Sequence, residues 1–425
     1  MTEEMKARIA QINAGIAPAG YKKTKVGIVP EEWEYCRLSH YLTVNKEKNT
    51  LLEYGKEDVF SVSGDYGVVN QIELLGRSYA GESLVTYKVV FPFNIVYTKS
   101  PLKQNPYGII KSNQTRKKGI VSALYAVYSC GSNVHAKYVE YYFGLDTTLN
   151  NYLFPLVTIG PKHSMNINDE NALQGFVVFP SLPEQQKIAE ILTAQDRAIA
   201  LMQKRIELKQ QQKKALMQKL LSGEVRVGSG EWKKTKIGKL TTISAGATPD
   251  TKRDDYWNGD IRWMSSGELN QKRVFEVEGR ITQLGLEQTS TKILPCKCVL
   301  IGLAGQGKTR GTAAINYVSL CTNQSIAAIW PSNYFVPEFL YYLMDSKYSE
   351  LRMISSGDGT RGGLNLKLLG NLSIELPPLP EQEKIAEILS AQDREIELIQ
   401  QQLALEQQKK KALMQLLLTG KVRCV

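Results

Sequence analysis

Histidine and cysteine are scarce in this sequence of 425 residues, and neither forms a pattern that binds a metal. The three histidines, His40, His135 and His163, lie far apart along the chain. Among the six cysteines, only Cys296 and Cys298 are close neighbours, and no further cysteine or histidine accompanies them. A zinc site needs four ligands, which usually arrive as two spaced pairs. We therefore expect no metal site, no catalytic histidine or cysteine, and reduced, structural thiols.

Long apolar runs are also missing, so that no segment approaches the roughly 18 apolar residues of a membrane span. The sequence begins Met1-Thr-Glu-Glu-Met-Lys, without the basic head and apolar stretch of a signal peptide. Hydrophobic residues make up 43% of the chain, which is enough for ordinary cores. We expect a cytoplasmic protein of two or three domains, at roughly 150 residues per domain.

The charge is unbalanced, with 53 basic against 42 acidic residues and a net charge of +11. A basic surplus favours an anionic partner such as nucleic acid or a membrane surface. The surplus is shared between the two halves of the chain and is not gathered in a basic tail.

A long internal repeat organises the chain. Residues 183–227 and 380–424 align at a constant offset of 197 without a gap, and 30 of the 45 positions are identical. Similarity of this length indicates a duplication of one structural element.

Each copy has the composition of a helix. Pro183 and Pro380 suit a first helical turn, and Gly223 and Gly420 are the expected stops. The residues between them are mainly Ala, Leu, Ile, Gln, Lys and Glu, which are good or tolerable helix formers. About 40 residues, at ~1.5 Å per residue, would form a rod of roughly 55–60 Å.

Apolar residues recur within each copy at the period of a coiled coil. The apolar positions of this predicted seam are Ile188, Leu192, Ile199, Met202, Ile206, Leu216, Leu220, Ile385, Leu389, Ile396, Ile399, Leu403, Leu413 and Leu417. Gln195 and Gln392 interrupt the seam at matching places, and we hypothesise that they hold its register. Because an apolar stripe must be buried, we expect the two copies to pair with each other. Antiparallel pairing is favoured, since a parallel pair would crowd two globular domains at one end.

The segments that precede the two helices resemble each other more weakly. Lys-Lys-Thr-Lys, followed by an apolar residue and a glycine, occurs at 22–25 and again at 233–236. Short apolar runs bounded by glycine turns predict strands in both halves. Residues 138–144 and 337–345 have the pattern of short helices.

These features predict a mixed α/β (α+β) fold with a pseudo-twofold repeat. Two globular domains would be joined by two long antiparallel helices that form a coiled coil. The expected boundaries are 1–182 for the N-terminal domain, 183–222 for the central helix, 223–379 for the C-terminal domain and 380–425 for the second helix.

One segment fits the pattern of a phosphate-binding loop, Gly302-Leu-Ala-Gly-Gln-Gly-Lys-Thr309. In that interpretation Lys308 would contact phosphates and Thr309 a magnesium ion. The pattern requires a helix directly afterwards, whereas the residues from Arg310 onward predict a loop and a strand. We therefore expect no nucleotide hydrolysis. The segment is either a glycine loop that carries Gln306, Lys308 and Arg310 to DNA or a solvated turn.

Other enzymatic motifs are incomplete. Asn105-Pro-Tyr107 lacks the second proline of the Asn-Pro-Pro-Tyr motif of amino-methyltransferases, and no glycine-rich cofactor loop accompanies it. The clustered carboxylates of a metal nuclease are not apparent in the sequence either. We predict a non-catalytic chain, with a coiled-coil scaffold that has no DNA role as the alternative to a DNA-binding protein.

Basic and amide side chains cluster in segments that predict loops. Arg and Lys read guanine edges or hold phosphates, whereas Asn and Gln read adenine. The candidate DNA contacts of the first half are Lys111, Asn113, Gln114, Arg116, Lys117, Lys118, Lys162 and His163. Those of the second half are Gln306, Lys308, Arg310, Thr360 and Arg361. A solvated surface residue is the alternative at each position.

The alternation of a domain with a Pro-Glu-Gln-x-Lys-Ile-Ala-Glu-Ile-Leu helix, twice over, resembles the specificity subunit of type I restriction–modification systems. The residues that carry the resemblance are Leu182–Leu192, Leu379–Leu389, and Ala-Leu-Met-Gln at 215–218 and 412–415. The segment from Tyr21 to Gly27, with Trp33, also resembles the start of a target recognition domain of this family. The resemblance covers nearly the whole chain.

This resemblance implies two target recognition domains, each of which reads one half of a split site in double-stranded DNA. It further implies that the paired helices set the gap between the halves and dock two methyltransferase subunits, which two motor–nuclease subunits can join. S-adenosylmethionine, ATP and magnesium would then bind to those partners and not to this chain. The resemblance implies no membrane partner.

Overall fold

A computed structural model describes residues 2–159, 165–305, 309–355 and 363–424. These residues form two compact units, each of which is described by itself. Unit 1 contains the chain up to Gln203 together with the residues from Gln402 onward, and unit 2 contains Lys204–Gln401. The division falls within the long helices and not at their ends, where the sequence-based boundaries lie.

Unit 1 combines short helices and short strands with a part of each long helix. Its short helices are α1 (Glu3–Asn13), α2 (Gln71–Leu75), α3 (Ala136–Tyr142) and α4 (Asp146–Leu153). Its strands are β1 (Tyr21–Thr24), β2 (Gly27–Pro30), β3 (Glu34–Arg37), β4 (Leu42–Val44), β5 (Phe60–Ser63), β6 (Gly67–Asn70), β7 (Lys88–Val90), β8 (Ile95–Thr98), β9 (Ile109–Ser112), β10 (Gly119–Val121), β11 (Tyr125–Cys130), β12 (Thr158–Ile159), β13 (Met165–Asn166) and β14 (Phe176–Phe179).

The main sheet of unit 1 is antiparallel, with the strand order β4-β11-β8-β9. Its central strands are rich in the β-branched and aromatic residues that favour a pleated, buried surface. Successive side chains of β8 point to opposite faces. Tyr97 belongs to the large core that contains Tyr138 of α3, whereas Val96 belongs to a smaller core with Phe60.

Unit 2 has the same kind of composition. Its short helices are α6 (Gln283–Glu287), α7 (Pro337–Ser346), α8 (Tyr348–Ile354) and α9 (Leu366–Asn371), and the long helices are α5 (Leu182–Leu221) and α10 (Leu379–Leu417), each shared with unit 1. Its strands are β15 (Lys233–Lys236), β16 (Ile243–Ala245), β17 (Trp257–Met264), β18 (Arg273–Val274), β19 (Arg280–Ile281), β20 (Val299–Gly302), β21 (Ala313–Asn316), β22 (Cys321–Thr322), β23 (Ile326–Ile329) and β24 (Ser373–Leu376).

The main sheet of unit 2 has the order β16-β23-β20-β21-β18, in which only the β18–β21 pair is parallel. Val299 and Ile301 pack in the core that contains Phe339 of α7, while Leu300 lies in a separate core on the other face. Both units are therefore small sheets covered by helices, which confirms the mixed α/β prediction.

The long helices pair in the antiparallel sense in each unit. In unit 1 the side chain of Gln195 donates to the backbone carbonyl of Glu406, at 3.2 Å. In unit 2 Lys213 pairs with Asp393, at 2.5 Å. Every apolar seam residue predicted from the sequence is buried or half-buried. Within the described ranges, neither these helices nor any shorter one is long and apolar enough to cross a membrane.

The repeated Lys-Lys-Thr-Lys segments do not occupy equivalent places. Residues 233–236 form β15, which pairs with β24 at the entry to a long helix. In unit 1 the strand that pairs with the corresponding β14 is β3, residues 34–37, whereas β1 forms a hairpin with β2. Trp33 and Trp232, which directly precede β3 and β15, mark the true correspondence. The shared letters therefore do not mark equivalent strands, because backbone pairing follows the tryptophan and not the lysines.

Candidate nucleic-acid interface

The Pro-Glu-Gln start of each long helix is tied to an arginine that follows the end of the other long helix. In unit 1 the guanidinium of Arg423 donates to the carboxylate of Glu184 at 2.8 and 2.9 Å. In unit 2 Arg226 donates to Glu381 at 2.8 Å through both contacts. Each carboxylate side chain is only 1% exposed. Two parallel charge-assisted bonds to a buried carboxylate hold both the distance and the orientation of the helix ends.

The electrostatics of these clamps follow from the contacts. Hydrogen bonds from Arg226 hold the pKa of the Glu381 carboxyl below its ordinary value, although burial acts in the opposite direction. In unit 1 the indole of Trp33 adds a third donor to Glu184, at 3.2 Å. Glu381 is therefore a structural anion, and Glu184 is held by the same type of paired contact.

The glutamine of Pro-Glu-Gln connects each long helix to its globular domain. The amide of Gln185 donates to the carbonyl of Pro180 at 3.0 Å, and its oxygen accepts from the backbone N–H of His135 at 2.9 Å. Gln382 repeats both contacts in unit 2, with the carbonyl of Pro377 and the N–H of Val336. The short helices α3 and α7 begin at these points, so the domain and the long helix are fixed at a common position.

A tyrosine, an aspartate and a lysine form a second repeated contact. In unit 1 these residues are Tyr141, Asp196 and Lys410. In unit 2 they are Tyr342, Asp393 and Lys213. The hydroxyl donates to the carboxylate at 2.7 and 2.6 Å respectively, and each lysine pairs with it at 2.5 Å. The aspartate thus joins both long helices to the globular domain of its unit.

The two predicted register residues behave differently. Gln195 bonds across the helix pair to Glu406. The side-chain oxygen of Gln392 is buried and has no hydrogen-bond partner among the described residues. The repeat places Lys209 where Glu406 stands in the other copy, and Lys209 pairs with Glu395 instead, at 2.7 Å. A role in register is supported for Gln195 only.

Asn113 requires a correction, because it is buried and its amide is fully used by the protein. Its nitrogen donates to the carbonyls of Phe91 at 3.0 Å and Lys117 at 2.9 Å, and its oxygen accepts from Thr115. The backbone carbonyl of Asn113 also accepts from the N–H of Phe93, at 2.8 Å. A side chain in this position cannot reach a base edge. Asn113 therefore holds two neighbouring turns together and is withdrawn from the candidate DNA contacts.

Unit 2 contains a corresponding buried asparagine, Asn316, and we call the pair of hydrogen bonds that each amide donates to backbone carbonyls an asparagine lock. The amide of Asn316 donates to the carbonyls of Pro295 and Val318, both at 2.8 Å, and its carbonyl accepts from Lys297. Asn113 directly follows β9 and Asn316 is the last residue of β21, so each asparagine lies at the end of a strand in the main sheet of its unit. Sequence reasoning missed this pair because, apart from Gly108 and Gly311 five residues earlier, the segments directly around the asparagines differ.

The residues after Asn113 form a basic loop. Gln114, Arg116, Lys117 and Lys118 are exposed. Arg116 has a left-handed backbone with φ of 58°. Lys117 pairs with Glu73 at 2.8 Å, and the ammonium of Lys118 lies 5.2 Å from the ring centre of Phe91. The loop thus presents several cations from a base that the buried asparagine keeps rigid.

Lys111 lies outside that loop, in β9, and is half-buried. Burial lowers the pKa of its ammonium below the ordinary lysine value, against the attraction of Glu140. The position is less open to DNA than the sequence predicted. Its assignment as a DNA contact stays a prediction.

The candidates of the second half are only partly covered by the structure. Gln306, Lys308, Thr360 and Arg361 lie outside the described residues, as do Lys162 and His163 of the first half. Arg310 is half-buried, and its carbonyl accepts from Arg352 at 3.4 Å. Their roles in DNA contact stay predictions.

The segment that matches the phosphate-loop pattern is followed by a strand. After Thr309 the chain turns through Gly311 and enters β21 at Ala313. A phosphate loop needs the N-terminus of a helix at this place. The predicted loop and strand are confirmed, and the geometry does not suit nucleotide binding.

Metal-ligating side chains are dispersed in the described part of the chain, and two of its cysteines, Cys298 and Cys321, are buried. There, no group of three or more His, Cys, Asp or Glu side chains is arranged to hold a metal ion. Burial raises the pKa of the Cys298 thiol to about 12 and that of Cys321 to about 11. Both thiols are therefore protonated and unreactive near neutral pH.

Parts of the sequence are similar to those of known proteins. The sequence model of the family described as "Type I restriction modification DNA specificity domain" matches residues 229–407. The chain is 34% identical over 176 residues to the type I restriction enzyme MjaIX specificity subunit of Methanocaldococcus jannaschii, covering 39% of each chain. It is 28% identical over 237 residues to the EcoR124I/EcoR124II specificity subunit of Escherichia coli, covering 52% of this chain and 57% of that one. These matches span less than two thirds of either relative.

The fold has been seen in solved structures. The crystal structure of the type I restriction–modification system S subunit from M. genitalium aligns with a TM-score of 0.55 and 13% identity, over 91% of this chain and 96% of the other. At that identity the likeness concerns the fold alone. Together the fold and the repeated helix clamps define a chain with two globular domains, each attached to parts of both duplicated helices. The chain is thus similar to specificity subunits of type I restriction–modification systems, in sequence over part of its length and in fold over most of it.

Proposed function

We propose that this chain is the non-catalytic DNA-recognition subunit of a type I restriction–modification complex, in which each unit reads one half of a split site. One observation carries the proposal. Both units attach to the long helices by the same clamps and carry the same asparagine lock, yet the residues after the lock differ. Unit 1 has the basic loop 114–118, whereas unit 2 continues with Tyr317 and Val318. A constant scaffold with different exposed contents is needed by a protein that reads two different sequences.

The chemistry of the exposed loop suits duplex DNA. Arg116, Lys117 and Lys118 offer cations for phosphates, and an arginine can also bind the two acceptors of a guanine edge. Contacts with phosphates release counterions, so affinity should fall steeply with salt. The coiled-coil scaffold without a DNA role predicts no such dependence.

The exposed faces of the long helices support a docking role. Leu201 and Leu208 on α5 and Leu398 and Leu405 on α10 are 52–72% exposed, and the two pairs correspond at the offset of 197. A seven-residue spacing puts the leucines of each pair on one face of their helix. We assign these faces to two methyltransferase subunits, to which two motor–nuclease subunits can be added. S-adenosylmethionine, ATP and magnesium would be used by those partners, in the cytoplasm where the DNA lies.

The first experiment is co-expression of the chain with the methyltransferase of its own operon, followed by single-molecule mapping of methylated bases. The expected result is a two-part motif with a fixed gap. A stable complex that methylates nothing would favour the scaffold alternative.

A second experiment tests docking. We expect Leu201→Lys combined with Leu398→Lys to prevent co-purification of the methyltransferase, since a charge replaces apolar contact. Gln210→Lys with Gln407→Lys is the matched control, because both glutamines are exposed, correspond at the same offset and lie elsewhere on their helices. Co-purification that survives the leucine changes would contradict docking on these faces.

A further inference from the structure

Unit 1 contains a small cavity that no part of the proposed function uses. Its volume is 190 Å³. Pockets for drug-sized ligands have roughly 300–1,000 Å³, so this one suits a single planar ring system. The lining residues that matter here are Gln71, Tyr79, Tyr87, Lys99, Ser100 and Tyr125. Tyrosine rings, one amide and hydroxyl groups are the side chains that stack on a nucleobase and bond to its edge.

The wall of the cavity is held in place before any ligand arrives. The amide of Gln71 donates to the hydroxyl of Ser61 at 2.7 Å, and its oxygen accepts from the backbone N–H of Tyr79 at 2.8 Å. The guanidinium of Arg77 covers the ring of Tyr79 at 4.7 Å. In the described part of the chain the hydroxyls of Tyr87 and Ser100 make no hydrogen bond. They are therefore available to the polar edge of a ligand.

Leu124 stands at the mouth of the cavity. The backbone N–H of Tyr125 donates to the carbonyl of Ser122 at 3.0 Å and closes a tight turn that has Leu124 near its tip. Such turns favour Gly, Asn, Asp and Ser. Here a leucine that is 74% exposed takes the place. Apolar side chains in such positions enter the space between bases in many DNA complexes.

The wall next to the mouth is basic. Lys99 pairs with Asp169 at 2.8 Å, and Lys88 pairs with the same carboxylate. Two ammonium groups against one carboxylate leave a positive charge beside the cavity. That charge suits the phosphate next to a base that has left the helix.

We propose that this cavity receives one base of the DNA half-site, turned out of the duplex, while Leu124 fills the space that the base leaves. The inference rests on the proposed function, because it needs unit 1 to bind duplex DNA. It adds a base-binding site to a chain whose expected contacts are otherwise made in the grooves.

The test uses the full chain in complex with its methyltransferase and the half-site found by methylation mapping. 2-Aminopurine replaces each base of the half-site read by unit 1 in turn. The methylated base is left out, since methyltransferases themselves extrude their target base. We expect one further position to show a strong rise in fluorescence on binding. An abasic site at that position should keep full affinity, because no base then has to be unstacked.

Two variants separate this role from a structural one. Leu124→Ala should lower affinity for the intact site about tenfold, as expected for the loss of one stacking contact, and should reduce the fluorescence rise. An abasic site at the identified position should restore binding to this variant. Leu51 is 80% exposed and lies outside the cavity. The control variant Leu51→Ala should therefore change neither the affinity for the intact site nor the fluorescence rise.

The outcomes distinguish the two proposals. Specific binding in which every base except the methylated one stays stacked would overturn the base pocket and leave the recognition function intact. A complex without sequence-specific binding would overturn both.

Discussion

Glu184 and Arg423 lie 239 residues apart in the sequence and form a paired, buried salt bridge in unit 1. The same carboxylate accepts from the indole of Trp33, and the hydroxyl of Tyr21 donates to the carbonyl of Gly420 at 2.9 Å. The segment after the second long helix therefore packs against unit 1 and helps to hold its structure together. Since Glu381 and Arg226 repeat the pair in unit 2, these clamps join the duplicated helices at both of their termini.

Glu184→Ala should destabilise unit 1 by roughly 3–5 kcal/mol, because it leaves the Arg423 guanidinium without its buried partner. Urea unfolding measures the loss. Glu190→Ala, on the same helix but with a side chain that is 72% exposed, is the control and should change stability by less than about 0.5 kcal/mol. The double variant Glu184→Ala/Arg423→Ala should lose less free energy of unfolding than the sum of the losses in the two single variants. A loss equal to that sum would argue against a coupled pair.

Acid should weaken unit 2 through Glu381. The pKa of this carboxyl in the folded chain lies below its ordinary value of 4.5, because hydrogen bonds from Arg226 outweigh burial. Its contribution to the free energy of unfolding is thus complete above pH 4.5 and is lost as the pH falls through the lower, folded pKa. Unfolding measured between pH 7 and pH 3 should show this loss. Glu381→Gln should lower stability at pH 7 and flatten that part of the profile, and an unchanged profile would exclude the effect.

Asn113→Ala should destabilise its unit by roughly 1–3 kcal/mol, since it removes the hydrogen bonds that this buried amide donates to the carbonyls of Phe91 and Lys117. Asn316→Ala should do the same in unit 2. The bases read by each unit should not change while the protein remains folded, which methylation mapping of the variants can check. A relaxed motif in a folded Asn113→Ala variant would return this residue to the DNA contacts.

For Arg116 we expect the opposite of Asn113, namely an effect on DNA binding without a loss of stability. Because its backbone is left-handed, Arg116→Gly should keep or raise stability, by up to about 1 kcal/mol. The same change should weaken DNA binding and lower the slope of log affinity against log salt by about 1 if the arginine holds a phosphate. Thermal unfolding and salt titration of binding measure the two effects. If affinity stays at the wild-type level, the loop does not contact DNA.

The two long helices and their apolar seam were predictable from the sequence, because a seven-residue apolar period indicates which face of a helix is buried. The clamps were not, since nothing local connects Glu184 with Arg423. The letters Lys-Lys-Thr-Lys recur at 22–25 and 233–236, but the equivalent strands follow Trp33 and Trp232. The prediction for Asn113 failed because a polar residue in a basic segment gives no sign that its amide is buried.

The length of the helix pair should set the gap of the recognition motif. Inserting seven residues in both helices, after Gln203 in α5 and after Gln402 in α10, keeps the apolar seam in phase. Seven residues add ~10 Å at 1.5 Å per residue, which corresponds to about three base pairs at 3.4 Å each. Methylation mapping should therefore find the same two half-sites with a gap that is longer by about three base pairs. Four inserted residues in α5 alone, near Gln212, put the seam out of phase and should alter or abolish recognition. A gap that stays constant in the seven-residue variant would mean that the helices hold the domains but do not measure the DNA between the half-sites.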